Sequence, residues 1–205
     1  MKQDALPPRA QARPETHEIH GITRQDNYGW LRADNWQEVM RDPAVLDSDI
    51  RAYLEAENAY QGAVMKPTDG LQETLFKEMR GRIKEDDSSV PSPDGPFAYG
   101  MKFETGGQQP IFFRTPRGGG AETVLLHGDK EAEGKAYFRI GGASQSPDHK
   151  LLAWAYDDKG SEYYSLQLRD TETGKDLDYS IADTAGGGVF SSYIIFFFYI
   201  LLYYN

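Results

Sequence analysis

The chain of 205 residues contains no cysteine. That single absence excludes disulfides, thiolate zinc sites and a cysteine nucleophile. Histidine is scarce as well. His17, His20, His127 and His149 are scattered, and none falls in a His-x-Glu or HExxH spacing, so the sequence names no metal ligand and calls for no cofactor. No G-x-S-x-G nucleophile elbow occurs anywhere. Ser and Asp are plentiful, yet nothing nominates a triad, so there is no catalytic residue to name. Positive charge is in deficit, with 22 Lys and Arg against 32 Asp and Glu and a net charge of −10. Phosphate backbones need a basic face, so nucleic acid is excluded as a partner. An acidic surface keeps a protein soluble and tolerates cationic partners.

Long apolar runs are missing until the end of the chain. Residues 193–204, YIIFFFYILLYY, carry no charge, Gly or Pro. They are too few to span a bilayer, which takes roughly 20, so no membrane partner is expected; the composition is that of an aggregation-prone strand. The N-terminal MKQDALPPRAQARPETHE has no apolar signal region, and the expected compartment is the cytoplasm.

What is present divides into a helical part and a strand part. Pro7, Pro8 and Pro14 keep residues 1–16 extended. The segment 17–35 is aromatic and charged without a clean period. Asp42-Pro43 reads as an N-cap followed by Pro at the first helical position. The helix it opens places Ile50, Tyr53, Leu54, Tyr60 and Val64 near one face. Pro67 ends it. Asp69 and Gln72 have capping-box spacing, and Leu71, Leu75, Phe76, Met79 and Ile83 form the stripe of a second helix.

From Val90 the period becomes that of strands. Short apolar runs alternate with Gly, Pro and Asp turns at 8–12-residue spacing, the pattern of a sandwich, barrel or propeller. Ser92-Pro-Asp and Ser146-Pro-Asp each precede an apolar strand and lie 54 residues apart, with a weaker candidate ending at Ser191. Repeats of about 40–50 residues with several strands each are propeller blades. Two adjacent acid pairs, Asp86-Asp87 and Asp157-Asp158, fit either turns or a glycosidase-type carboxylate site; their setting favours turns. RGGG at 117–120 lacks the Lys-Ser/Thr and the helix of a P-loop, and reads as a flexible hairpin.

The segment HGITRQDNYGWLRADN resembles the N-terminal segment of the prolyl oligopeptidase family of serine peptidases. The matching positions are His20, Gly21, Thr23, Arg24, Asp26, Asn27, Tyr28, Trp30, Leu31, Arg32 and Asp34. Arg32 and the His-Gly-x-Thr-Arg lead-in favour the oligopeptidase B branch over prolyl oligopeptidase proper. AYLEAENAY (52–60), KEMRGRIKEDDSSVP (77–91) and IADTAGGGVF (181–190) extend the likeness. The resemblance implies a mainly β fold with an α-helical N-terminal extension. Residues 1–85 would be the arm and helices, and 86–205 the first blades, about two, of a seven-bladed β-propeller. It also implies an α/β-hydrolase domain, absent from this chain, that carries Ser, Asp and His. The implied partners are oligopeptide substrates cut after Arg or Lys, with this portion gating access rather than catalysing. A non-catalytic propeller scaffold is the rival reading. Tyr28 and Trp30 are expected to anchor the arm by burial.

Overall fold

A computed structural model describes residues 6–190 and 195–197. Its contacts divide the chain into two compact units, residues 1–83 and 84–205.

The first unit opens with an antiparallel hairpin, β1 (Glu15–Ile19) and β2 (Ile22–Asp26), in a stretch where the sequence shows no period. His20 and Gly21 form its two-residue turn, both at positive φ (53° and 74°). That is the geometry whose twist matches a hairpin, and glycine adopts it without steric penalty. A 3-10 turn at Gly29–Leu31 follows, then α1 (Trp36–Arg41). Asp42 does cap a helical start, its carboxylate accepting from the Ala44 N–H at 2.9 Å, but only a single 3-10 turn forms, Pro43–Val45. Leu46 is extended, and Asp47 then caps the long helix α2 (Ser48–Met65) by accepting from the N–H groups of Asp49 and Ile50. Two caps in sequence explain why the long helix begins later than Asp42-Pro43 suggests. Pro67 sits in a 3-10 turn, Lys66–Thr68, before α3 (Asp69–Gly81). The expected Asp69–Gln72 box does not form: the Gln72 amide donates to the Thr68 hydroxyl at 2.7 Å, and no side chain caps α3. Among residues 6–83 Ile50 alone is buried, while Leu71, Leu75, Phe76 and Met79 of α3 and the following Ile83 remain exposed.

The second unit is built from two four-stranded antiparallel sheets. The first contains β3 (Ser92–Asp94), β4 (Phe97–Lys102), β5 (Ile111–Pro116) and β6 (Thr123–His127), hydrogen-bonded in chain order. After the short α4 (Gly128–Glu131) comes the second, of β7 (Arg139–Gln145), β8 (Leu151–Asp157), β9 (Tyr164–Asp170) and β10 (Asp176–Thr184), again in chain order. A further hairpin, β11 (Gly188–Phe190) with β12 (Ile195–Phe197), begins the next layer. The apolar tail 193–204 otherwise lies outside the described residues.

Strand β8 shows how the layers stack. Leu152 and Trp154 join Leu125, Leu126 and Phe138 in one core cluster, with Tyr99 and Phe112 of the first sheet packed against it. Ala153 and Ala155, pointing the other way, join Leu166 and Leu168 in a second cluster that meets Phe190 of β11. A strand with both faces covered reads as a continuous apolar run rather than as an alternation, which is how Leu151–Tyr156 appears in the sequence. The 54-residue spacing of the Ser-Pro-Asp segments is also the spacing of β4 and β8. The two segments are used differently. Ser92–Asp94 is itself β3 and turns through Gly95-Pro96, whereas Ser146-Pro147-Asp148 is the turn after β7.

Candidate functional site

The groups that could carry chemistry resolve first as turns. The Asp157 side chain, in a residue 2% exposed, accepts from the N–H groups of Lys159, Gly160 and Glu162 at 2.9, 3.0 and 2.8 Å. Burial pushes its carboxyl up, but these backbone bonds outweigh it and hold the group below the usual carboxylate range. Asp87 accepts from the Ser88 N–H, and its carbonyl receives the Phe103 N–H. Asp157 thus organises the turn after β8, while Asp86, Asp87 and Asp158 are exposed. RGGG lies in the β5–β6 connection, where the Gly119 N–H donates to the Pro116 carbonyl. His17 is on β1 and His20 in its turn, while His127 ends β6 with Nε2 3.7 Å from Glu104. Among the described residues no group of three His, Cys, Asp or Glu side chains could hold a metal ion, and no helix is long and apolar enough to cross a membrane.

His149 is the exception, because it sits where the two sheets meet. Its backbone is left-handed, with φ of 61°. Its Nδ1 is 2.9 Å from the Tyr99 hydroxyl, and its ring packs edge-on against Phe97 at 5.6 Å. The Arg114 guanidinium lies 4.2 Å over the Phe97 ring and donates to the His149 carbonyl at 2.7 Å, a carbonyl that also accepts from Thr171. Gln145 crosses the seam to Asp94 at 2.7 Å. Arg114 is 8% exposed with no carboxylate partner among the described residues, and its Nε is unsatisfied. Its charge rests on a carbonyl, an aromatic face and the neighbouring phenol. The Ser146 hydroxyl donates to Asp148 at 2.6 Å and the Lys150 N–H adds a second bond, which together hold that carboxyl below its ordinary value.

A second polar cluster ties the neighbouring strands β9 and β10 to each other and to α4. Arg169 meets Asp176 through two bonds of 2.9 and 2.8 Å and Glu131 through one of 2.8 Å. Trp154 donates its indole N–H to the same Asp176 at 3.0 Å. Burial lowers the guanidinium's affinity for its proton, but the two carboxylates reverse that and raise it. Lys135 stands 4.5 Å over Phe138 and 4.4 Å over Tyr156, closing the aromatic end of the core. Between the sheets a cavity of about 280 Å³ is lined by Tyr99, Met101, Phe112, Leu125 and Leu152. Its polar lining is committed elsewhere, Ser89 to the Met101 N–H and Gln145 to Asp94.

In the first unit the structure separates Trp30 from Tyr28. The Trp30 indole donates to the Gln11 carbonyl at 2.8 Å, meets Tyr53 edge-on at 6.4 Å, and carries the Arg13 guanidinium 4.2 Å above its ring. Trp30 anchors the arm by these contacts, half-buried rather than buried as expected. Tyr28, 51% exposed, does not. The Arg114 and Arg169 clusters are absent from the sequence reading. For Arg114 the signal is an arginine within an apolar strand, IFFRTP, a buried position that must find partners; β9, YSLQLRD, gives Arg169 no such signal.

These groups hold layers together. Residues 7–200 match the family model described as prolyl oligopeptidase, N-terminal beta-propeller domain. The chain is 32% identical over 208 residues to dipeptidyl aminopeptidase BI of Pseudoxanthomonas mexicana, covering 93% of this chain and 28% of that protein. It is 29% identical to protease 2 of Moraxella lacunata, over 82% of this chain and 24% of the relative. Oligopeptidase B from Leishmania major superposes with a TM-score of 0.78 at 24% identity, covering 90% of this chain and 27% of that structure, a likeness of fold. The chain therefore spans about a quarter of the length of the proteins it matches. With its stacked four-stranded sheets and a family match over nearly all its length, it belongs to the prolyl oligopeptidase family, as part of the N-terminal β-propeller domain.

Proposed function

We propose that this chain is the opening portion of an oligopeptidase B-like serine peptidase that hydrolyses oligopeptides after Arg or Lys. In this reading the sheets are the first blades of a seven-bladed propeller that limits access to a hydrolase domain elsewhere in the polypeptide. The observation that carries it is the family match over residues 7–200 to a peptidase family's propeller. Two features support an architectural role for the portion itself. Its polar side chains are spent on turns and on the seam, and the apolar side of α3 with Ile83 (Leu71, Leu75, Phe76, Met79) is left uncovered. An apolar face of that size normally meets another surface, and most of the polypeptide of the relatives lies outside this chain.

The test uses the full-length protein. Chromogenic peptides with blocked N-termini and Arg or Lys before the scissile bond should be cleaved, and a serine-directed inhibitor should stop the reaction. Absence of inhibitor-sensitive turnover would leave the non-catalytic scaffold standing. A second reading is favoured by the 32% identity to a dipeptidyl aminopeptidase. Cleavage only of substrates with a free N-terminal dipeptide would select it.

A further inference from the structure

The extended arm before β1 is held through the Arg13 side chain and through main-chain bonds beside it, and what holds it has the form of a binding site. The Arg13 guanidinium lies 4.2 Å over Trp30 and its Nη2 is 2.6 Å from Asp49 Oδ2. The edge contact between Tyr53 and Trp30 closes the side of this cradle. Two main-chain bonds flank it: the Arg13 N–H donates to the Asn27 carbonyl at 2.8 Å, and Trp30 Nε1 donates to the Gln11 carbonyl at 2.8 Å. A planar cation stacked on an indole, paired with a carboxylate and fixed by backbone bonds on either side, is how an extended arginine-bearing peptide is recognised.

Each part of the cradle is also held by bonds of its own element. Trp30 belongs to a 3-10 turn closed by its own bonds, Leu31 N–H to the Tyr28 carbonyl and Arg32 N–H to the Gly29 carbonyl, both 3.0 Å. Asp49 is in the first turn of α2, where the Asp47 cap fixes its backbone and the helix dipole favours its charge. Tyr53 is oriented by its hydrogen bond to Glu57. The occupant, by contrast, is a Pro-flanked segment without secondary structure.

We propose that Trp30, Asp49 and Tyr53 form an acceptor for the arginine of an extended peptide, kept filled in cis by the chain's own Arg13. The ligand class is an extended peptide bearing an arginine, read through its guanidinium and its main chain. A tethered occupant acts at an effective concentration on the order of mM, so a free peptide gains access only when Arg13 is removed or displaced. The proposal does not rest on peptidase activity.

The test uses the full-length protein, treated beforehand with a serine-directed inhibitor so that the probe is not consumed. The probe is a fluorescein-labelled, end-blocked Gln-Ala-Arg-Pro peptide followed by anisotropy, with a citrulline version as the uncharged control. The Arg13→Ala protein should bind it about 10-fold more tightly than the unaltered protein, the scale set by one cation–π contact and one exposed ion pair. Adding Asp49→Asn should remove that gain, and so should adding Trp30→Leu, which leaves α2 untouched. The citrulline peptide should show no gain. Equal binding by the unaltered and Arg13→Ala proteins would overturn the proposal, as would a gain that survives both second-site changes.

Discussion

Single residues carry more of this structure than its blandness suggests. Arg169 is the sharpest case, because its partners are unequal in exposure: its side chain is 10% exposed, that of Asp176 33%. Replacing Arg169 by Leu leaves two carboxylates that can reach water. Replacing Asp176 by Ala leaves a buried cation with one partner and takes away the acceptor of the Trp154 indole. Asp176→Ala should therefore be the more destabilising change, by about 3 kcal/mol in denaturant unfolding, and Arg169→Leu the milder. Asp157 gives a pH prediction. Its folded pKa is depressed, so its contribution is present above the unfolded carboxylate value of about 3.9 and is lost as pH falls through the folded value. Asp157→Asn should lower stability at neutral pH, since an amide is a poorer acceptor for three N–H donors. The same variant should flatten the acid limb of the stability–pH curve. An unchanged acid limb would mean that other carboxylates control it. The sequence reading treats Tyr28 and Trp30 alike, since composition assigns size but not direction. Trp30→Ala should speed limited tryptic cleavage after Arg9, while Tyr28→Ala should not.

At the scale of elements, what was legible followed from periodicity, and what was missed followed from turn chemistry and from partners. The strands β4, β5, β6, β8 and β9 appear in the sequence as apolar runs between turn residues, and α2 and α3 appear as 3.6-period stripes. The β1–β2 hairpin escapes, because Ile19 and Ile22 flank it without alternation and its signal is only the His-Gly pair. The late start of α2 escapes because Asp42 and Asp47 are both valid caps, and sequence does not rank them. A stripe also states which residues share a face but not what covers it: Ile50 is buried and Leu71 is not. The seam clusters were illegible, since they join Tyr99 to His149 and Gln145 to Asp94 across about fifty positions. The β3–β4 turn offers a test of that seam. Gly95 has φ of +54°, and a Cβ there would stand 2.4 Å from His149 Nε2. Gly95→Ala should cost about 1–3 kcal/mol. Gly106→Ala, also at positive φ but facing open space, should cost less. Equal losses at the two sites would assign the effect to backbone strain alone and deny His149 its tight fit.

At the scale of the whole molecule the charge balance is the property that no single contact explains. A net charge of −10 has a plain consequence, solubility, and a second one where the substrates are cationic. A low-dielectric entrance lined by negative charge raises the local concentration of cations and speeds encounter. Exposed charges act over about one Debye length, ~8 Å at physiological salt, so the effect belongs to association and fades as ionic strength rises. The structure decides which acids can be tested. Asp157 is buried and its carboxylate is committed to the turn after β8, so neutralising it would disturb the fold. Asp86, Glu133, Asp158 and Glu172 are exposed and serve the comparison. In the full-length protein, kcat/KM for a dibasic peptide is measured across a salt series, with those four as in the native chain and then as Asn or Gln. Steering predicts that the native protein's rate falls with salt more steeply than the variant's and that the two converge at high salt, with kcat unchanged throughout. Parallel lines would reduce these acids to solubilising charge and leave substrate preference to residues outside this chain.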